Sequence, residues 1–187
     1  LERVFFVNTF FFRAMDGQSP LLIDPYTLKG KDGTNIDFMC LTMIDPASSW
    51  FEMAELPVTE VVRTNRDNTI VETSEIFDKT SQQIARLVNT SWFSRYPRPK
   101  NVIYDNGSEF KLHFHSLCDT YVLKGKPTMI KKPQAKVIMG MLRTSEIDMV
   151  DTVTAQDVSD FLADASWAIR STHHTVLKAS PGAAIFR

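Results

Sequence analysis

Tyr104-Asp105-Asn106-Gly107-Ser108-Glu109-Phe110 is the stretch on which the reading of this chain turns. Asp105 closes a short apolar run, Val102-Ile103-Tyr104, and a flexible Asn-Gly pair follows at once. Ser108 is placed to cap a helix behind it. Phe110, Phe114, Leu117, Cys118 and Tyr121 then recur at helical spacing and predict one apolar stripe. A carboxylate at a strand end, facing a turn, is well placed to hold a divalent cation against phosphate. An Asp that only turns the chain ahead of a helix occupies the same position, so the stretch alone leaves both readings open.

Working outward, three apolar, β-rich runs precede it: Leu21 to Leu28, Ile36 to Ile44 and Trp50 to Leu56. The polar turn Lys29 to Gly33 and the Asp45-Pro46-Ala47-Ser48-Ser49 turn separate them, which predicts an antiparallel meander. Val58 to Val71 reads as a loop. Ser74 is a candidate cap, with Glu75 and Asp78 in a first turn, for a helix carrying Phe77, Thr80, Ile84, Leu87 and Val88. Tyr96-Pro97-Arg98-Pro99 cannot continue that helix. Downstream, Tyr121 to Thr128 predicts a strand interrupted at Gly125. Thr154-Ala155-Gln156-Asp157 has the form of a capping box, followed by Val158, Phe161, Leu162, Ala165 and Ile169 on one face. Strands, then alternating helices and strands, give an α/β mixed sheet with helices packed on it.

Composition sets the bounds. The chain has 187 residues, 43% hydrophobic and 23% charged, enough for one domain with its own core. Its net charge of −1 rules out a global polycation, so any nucleic-acid contact has to come from a local basic face. Cys40 and Cys118 both lie in apolar segments and read as buried free thiols of a reducing compartment, the nucleus or cytoplasm. The four histidines, His113, His115, His173 and His174, form no zinc-binding pattern. The aromatic run Leu1 to Arg13 is interrupted by Asn8 and Thr9 and falls short of the ~20 residues of a membrane span. Residues 1–20 are left unassigned, and no membrane partner is expected. Trp50 and Trp92 read as core side chains rather than base-stacking platforms.

Four segments, in order, resemble the integrase catalytic core of gypsy-type LTR retrotransposons. They are Leu41 to Glu52, Tyr104 to Phe110, Gly125 to Ala135 and Ser180 to Phe186. The resemblance runs from about residue 21 to 187. It implies an RNase H-like fold with a mixed five-stranded sheet and helices on both faces. It also implies DNA integration, a strand transfer at DNA ends in which two Mg²⁺ (or Mn²⁺) ions are held by three carboxylates. The implied partners are transposon ends and target DNA, with a homo-oligomer in keeping.

Asp105 matches the second acid and is the candidate catalytic and metal-binding residue. The other two acids are missing from the matched positions. The family's first strand resembles D-L-I-G-P-Y-T, and here Leu21-Leu22-Ile23-Asp24-Pro25-Tyr26-Thr27 puts Leu21 where the acid belongs. After Pro133-Gln134-Ala135 the chain runs straight into Lys136 to Arg143, so that either Gly140 stands in for the family's Glu or the residues carrying it are deleted, and no Glu lies around Ala135–Gly140. The expectation is a shortened third core helix, a domain cut short at its C-terminal end, and weak or lost metal binding. A triad of Asp45, Asp105 and Glu146 would fit by spacing alone, but Asp45 falls in the turn between strands. Asn106, Gly107, Lys126, Lys131, Lys132 and Gln134 are the candidate nucleic-acid contacts. The resemblance therefore implies an integrase-like strand transferase with a degenerate active site. The alternatives are a non-catalytic DNA- or protein-binding module recruited from an integrase, and a non-functional transposon remnant.

Overall fold

The computed structural model describes residues 4–10, 26–65, 67, 70–105, 107–128 and 151–186. Most of its strands are rich in β-branched and other apolar residues, whereas the edge strand Lys124–Thr128 is polar. In chain order they are β1 (Val4–Phe10), β2 (Tyr26–Lys29), β3 (Asn35–Phe38), β4 (Cys40–Asp45), β5 (Trp50–Glu55), β6 (Val58–Thr64), β7 (Ile70–Phe77), β8 (Asn101–Asp105) and β9 (Lys124–Thr128). The helices are α1 (Ser81–Val88), continued by a π-helical turn (Asn89–Phe93), α2 (His113–Thr120), α3 (Ala155–Ser171) and α4 (Pro181–Phe186). Among the described residues no helix is long and apolar enough to cross a membrane.

Five strands form one sheet in the order β5-β4-β1-β8-β9. The β5-β4-β1 half is antiparallel, and β8 and β9 join parallel to β1. This departs from the sequence reading in an instructive way. The strand beside β4 is Val4–Phe10, from the segment left unassigned, and not the run beginning at Leu21. Its Val-Phe-Phe-Val core suits a strand lying between two neighbours on both sides. Tyr26–Lys29 instead pairs with Asn35–Phe38 in a separate hairpin, so the three-strand meander does not form. Leu21 and Asp24 lie outside the described residues.

Alternation along the strands sends side chains into two cores. On one face Leu41, Met43, Trp50, Val102 and Tyr104 pack with Ile84, Val88, Trp92, Phe110, Phe114 and Cys118. On the other, Cys40 and Phe51 pack with Leu28, Phe38, Val158, Phe161, Leu162 and Ile169. Helices thus cover both faces, and Trp50 and Trp92 are core residues. Both cysteines are free and buried. Burial pushes the Cys40 thiol up to about 12 and the Cys118 thiol to about 11.

Two helix starts differ from expectation. Residues 70–77 are strand, so Ser74 caps nothing. α1 begins later, where the Thr80 hydroxyl accepts from Gln83 N–H at 3.3 Å. The segment read as a loop is the hairpin β6–β7, built on β-branched Val58, Val61, Val62 and Ile70. The capping box at Thr154 and Asp157 forms as read, and the Asp157 carboxyl is held below its ordinary value by the Thr154 hydrogen bonds. Gly30 sits where a Cβ would lie 2.4 Å from Thr34 Oγ1 and 2.9 Å from the Asp151 carbonyl. That close approach lets the β2–β3 turn dock on the α3 entry, where Thr152 Oγ1 donates to Asp32 at 2.7 Å.

One buried charge ties the layers together. Glu52 on β5 is 6% exposed and accepts from Trp50 Nε1 at 3.2 Å, from the Tyr96 hydroxyl and from the Arg170 guanidinium. Arg170 also donates through Nε to the Phe51 carbonyl at 2.7 Å and lies 4.8 Å over the Trp50 ring. Removing one partner strands a charge in the interior. Arg170→Met is expected to cost about 3–5 kcal/mol in denaturant unfolding, and Glu52→Gln added to it to recover part of that loss. Additive losses would show that the pair is not coupled.

Candidate active site

β8 delivers the Tyr104–Phe110 stretch to its place. Val102 and Tyr104 are buried against α1 and α2, and Asp105 is the last residue of the strand. Gly107 opens a short 3-10 turn, Ser108–Phe110, with Phe110 N–H donating to the Gly107 carbonyl at 3.3 Å. The fully buried Phe110 pins this turn, its ring 5.7 Å from Tyr104 and 5.1 Å from Phe114. The aromatic stripe read in the sequence is therefore real, with Phe110, Phe114 and Cys118 in the core and Leu117 and Tyr121 packed against it.

The expected cap is not Ser108. α2 starts at His113, after Leu112 adopts the left-handed φ of 42°. Ser81 at the head of α1 supplies the missing bonds. Its hydroxyl accepts from Phe114 N–H at 3.1 Å and donates to the Lys111 carbonyl. The cap thus comes from another helix, 33 residues away in sequence, and no local pattern could reveal it.

The register around Asp105 can be followed strand by strand. Asp105 pairs with Thr128 on β9, and Tyr104 pairs with Val7 on β1. One residue further along both parallel strands, Asn8 comes level with Asp105. Asn8 also pairs with Thr42, and Thr42 with Met53. Lys126 is the partner of Ile103, two residues before Asp105, and is exposed. Asn106, Lys131, Lys132, Gln134 and the Ala135–Gly140 segment lie outside the described residues, as does Glu146.

Behind Asp105 the Tyr104 hydroxyl lies 3.0 Å from His115 Nε2, and burial raises the phenol above its ordinary value. Gly125 lies directly against this phenol. A Cβ there would sit 3.0 Å from the Tyr104 hydroxyl, so the small residue lets β9 pair closely rather than breaking it. Asp45 serves its turn, accepting from Ala47 N–H at 3.1 Å and Ser48 Oγ at 2.7 Å. Among the described residues no three His, Cys, Asp or Glu side chains form a group that could hold a metal ion.

No protein-family model and no curated protein matches the sequence. Solved structures do. The catalytic core domain of HTLV-2 integrase, in complex with magnesium and in a trimeric form, superposes with a TM-score of 0.55 at 13% identity. That match covers 96% of this chain and 94% of the other. The catalytic core domain of BIV integrase gives the same TM-score and identity, over 95% and 91%. At this identity the likeness speaks for the fold: the chain has the fold of an integrase catalytic core.

The trans-acting cap gives a direct check on how the Asp105 turn is held. Ser81→Ala is expected to lower unfolding free energy by about 1 kcal/mol. Ser108→Ala should stay within about 0.5 kcal/mol. Equal losses in urea titrations would place the cap at Ser108 after all.

Proposed function

We propose that this integrase-core fold is a DNA-handling domain of retrotransposon origin, of the gypsy type, that has lost strand-transfer chemistry. The observation that carries the reading is Asp105 at the end of β8, with no carboxylate at either candidate for the first-acid position. The sequence resemblance puts Leu21 at the first-acid position, and the strand register puts Asn8 level with Asp105. Neither side chain is a carboxylate, so the conclusion does not depend on which strand is matched. Around Ala135–Gly140, where the resemblance calls for a Glu, the sequence has none.

A two-ion centre uses Mg²⁺ to activate the attacking oxygen and to stabilise the leaving one. Mg²⁺ demands near-octahedral oxygen ligands and gives up its water reluctantly. One carboxylate, with an amide or an aliphatic residue at the first-acid position, does not meet that demand, and among the described residues no group of three donors fits the centre. What the chain keeps is a strand end at Asp105, Gly107 at the head of the following turn, and Lys126 on the adjoining edge strand. With Asn106, Lys131, Lys132 and Gln134, these are the residues proposed to meet the DNA backbone. The oligomeric state is taken from the resemblance.

A joining assay on oligonucleotide ends, with Mg²⁺ and then Mn²⁺, is expected to give no strand-transfer or end-processing product. Each ~1.4 kcal/mol of lost transition-state stabilisation costs about tenfold in rate, so losing several kcal/mol takes the reaction below detection. Products that appear with this chain and vanish with Asp105→Asn would sink the proposal.

A further inference from the structure

The fold joins two basic stretches that lie far apart in sequence. Residues 94–100 carry Arg95, Arg98 and Lys100, residues 121–125 carry Lys124, and neither stretch holds an Asp or Glu. All four cations are exposed.

The two stretches are fixed to each other by backbone and ring contacts. Lys124 N–H donates to the Lys100 carbonyl at 3.0 Å, and Asn101 is the parallel partner of Lys124. The Arg98 guanidinium lies 4.2 Å over the Tyr121 ring. Tyr121 is itself held, its hydroxyl donating to Asn89 Oδ1 at 2.7 Å and its ring edge-on to Phe93. Pro97 and Pro99 restrict the backbone on either side of Arg98. Arg98 therefore loses little freedom on meeting a ligand, since ring stacking already holds its plane.

This rim lies at the start of β8 and β9, whereas Asp105 lies at the end of β8. The five residues of β8 span about 13 Å. We propose that the rim is a second nucleic-acid contact, which grips the phosphate backbone of duplex DNA without reading its sequence, at the end of the sheet away from Asp105. Several exposed cations on a fixed frame suit a regular line of phosphates. Val122 is the one large apolar side chain exposed in these two stretches, which favours a phosphate polymer over a protein groove or a membrane. The choice of DNA leans on the integrase-like reading, but the site owes nothing to the metal positions.

The test is fluorescence anisotropy of a labelled random-sequence duplex with the full chain, in EDTA so that no metal site contributes. Between about 50 and 200 mM NaCl, log K against log[NaCl] is expected to fall with a slope of about −3 or steeper. Arg98→Glu/Lys124→Glu should weaken binding at least about tenfold and make the slope shallower by about 2. Arg95→Glu/Lys124→Glu, which alters only exposed side chains and leaves the Arg98 stack in place, should do the same and guards against a folding defect from loss of that stack. Lys31→Glu/Lys178→Glu, an equal charge change elsewhere, should stay within about twofold. Wild-type duplex affinity in the Arg95→Glu/Lys124→Glu variant, checked as folded by circular dichroism, would overturn the proposal. So would phosphatidylserine vesicles bound with the same salt dependence while the duplex is ignored. Because the assay contains no divalent metal, a positive result stands even if strand transfer is later found, and a negative one leaves the Asp105 reading intact.

Discussion

The Glu52 carboxylate, buried under β5, is the constraint on which the layering depends. An ionised group in that setting is tolerated only if its oxygens are satisfied. Trp50, Tyr96 and Arg170 satisfy them from three different parts of the chain. The result is a clasp. α3 is held across β5 through Arg170, and the segment after the π-helical turn is held through Tyr96. Phe186 of α4 rests its ring 5.4 Å from Trp50, at the outer side of the same cluster. The buried charge thus ties the last turn of α3, at Arg170, to one residue of the strand, in addition to the apolar packing.

With the layers fixed, β8 is set between β1 and β9 and its two ends take different surroundings. Its C-terminal end carries Asp105 and the Gly107 turn, pinned by Phe110. Its N-terminal end carries Lys100 against Lys124, beside Arg98 on Tyr121. One strand thus separates a candidate catalytic position from a basic rim. This arrangement suits a domain that holds DNA at more than one place, and the rim stands whether or not metal is ever bound at the other end.

How much of this could be read in advance depended on whether the signal was local. The α2 stripe from Phe110 to Tyr121 and the α3 face from Val158 to Ile169 were legible because helical periodicity is written in consecutive residues. The Asp105 strand end was legible for the same reason. β1 was not, because Val4-Phe5-Phe6-Val7 is an aromatic run whose value lies only in having neighbours on both sides. The hairpin β6–β7 was hidden by Glu60, Glu72 and Glu75 among its β-branched residues. Glu52 and Arg170 are 118 residues apart, and Ser81 and Phe114 are 33 apart, so neither contact leaves a sequence pattern. The basic rim was legible only at Lys124, because the pairing that brings Arg95, Arg98 and Lys100 beside it leaves no sequence pattern.

The central claim is that an integrase-core fold persists here around a single acid. Calorimetric titration of the intact chain with Mn²⁺ bears on it most directly. No saturable binding is expected at submillimolar concentrations, because neither Leu21 nor Asn8, the two candidates for the first-acid position, is a carboxylate. Two ions bound per chain with micromolar affinity, and lost on Asp105→Asn, would contradict it.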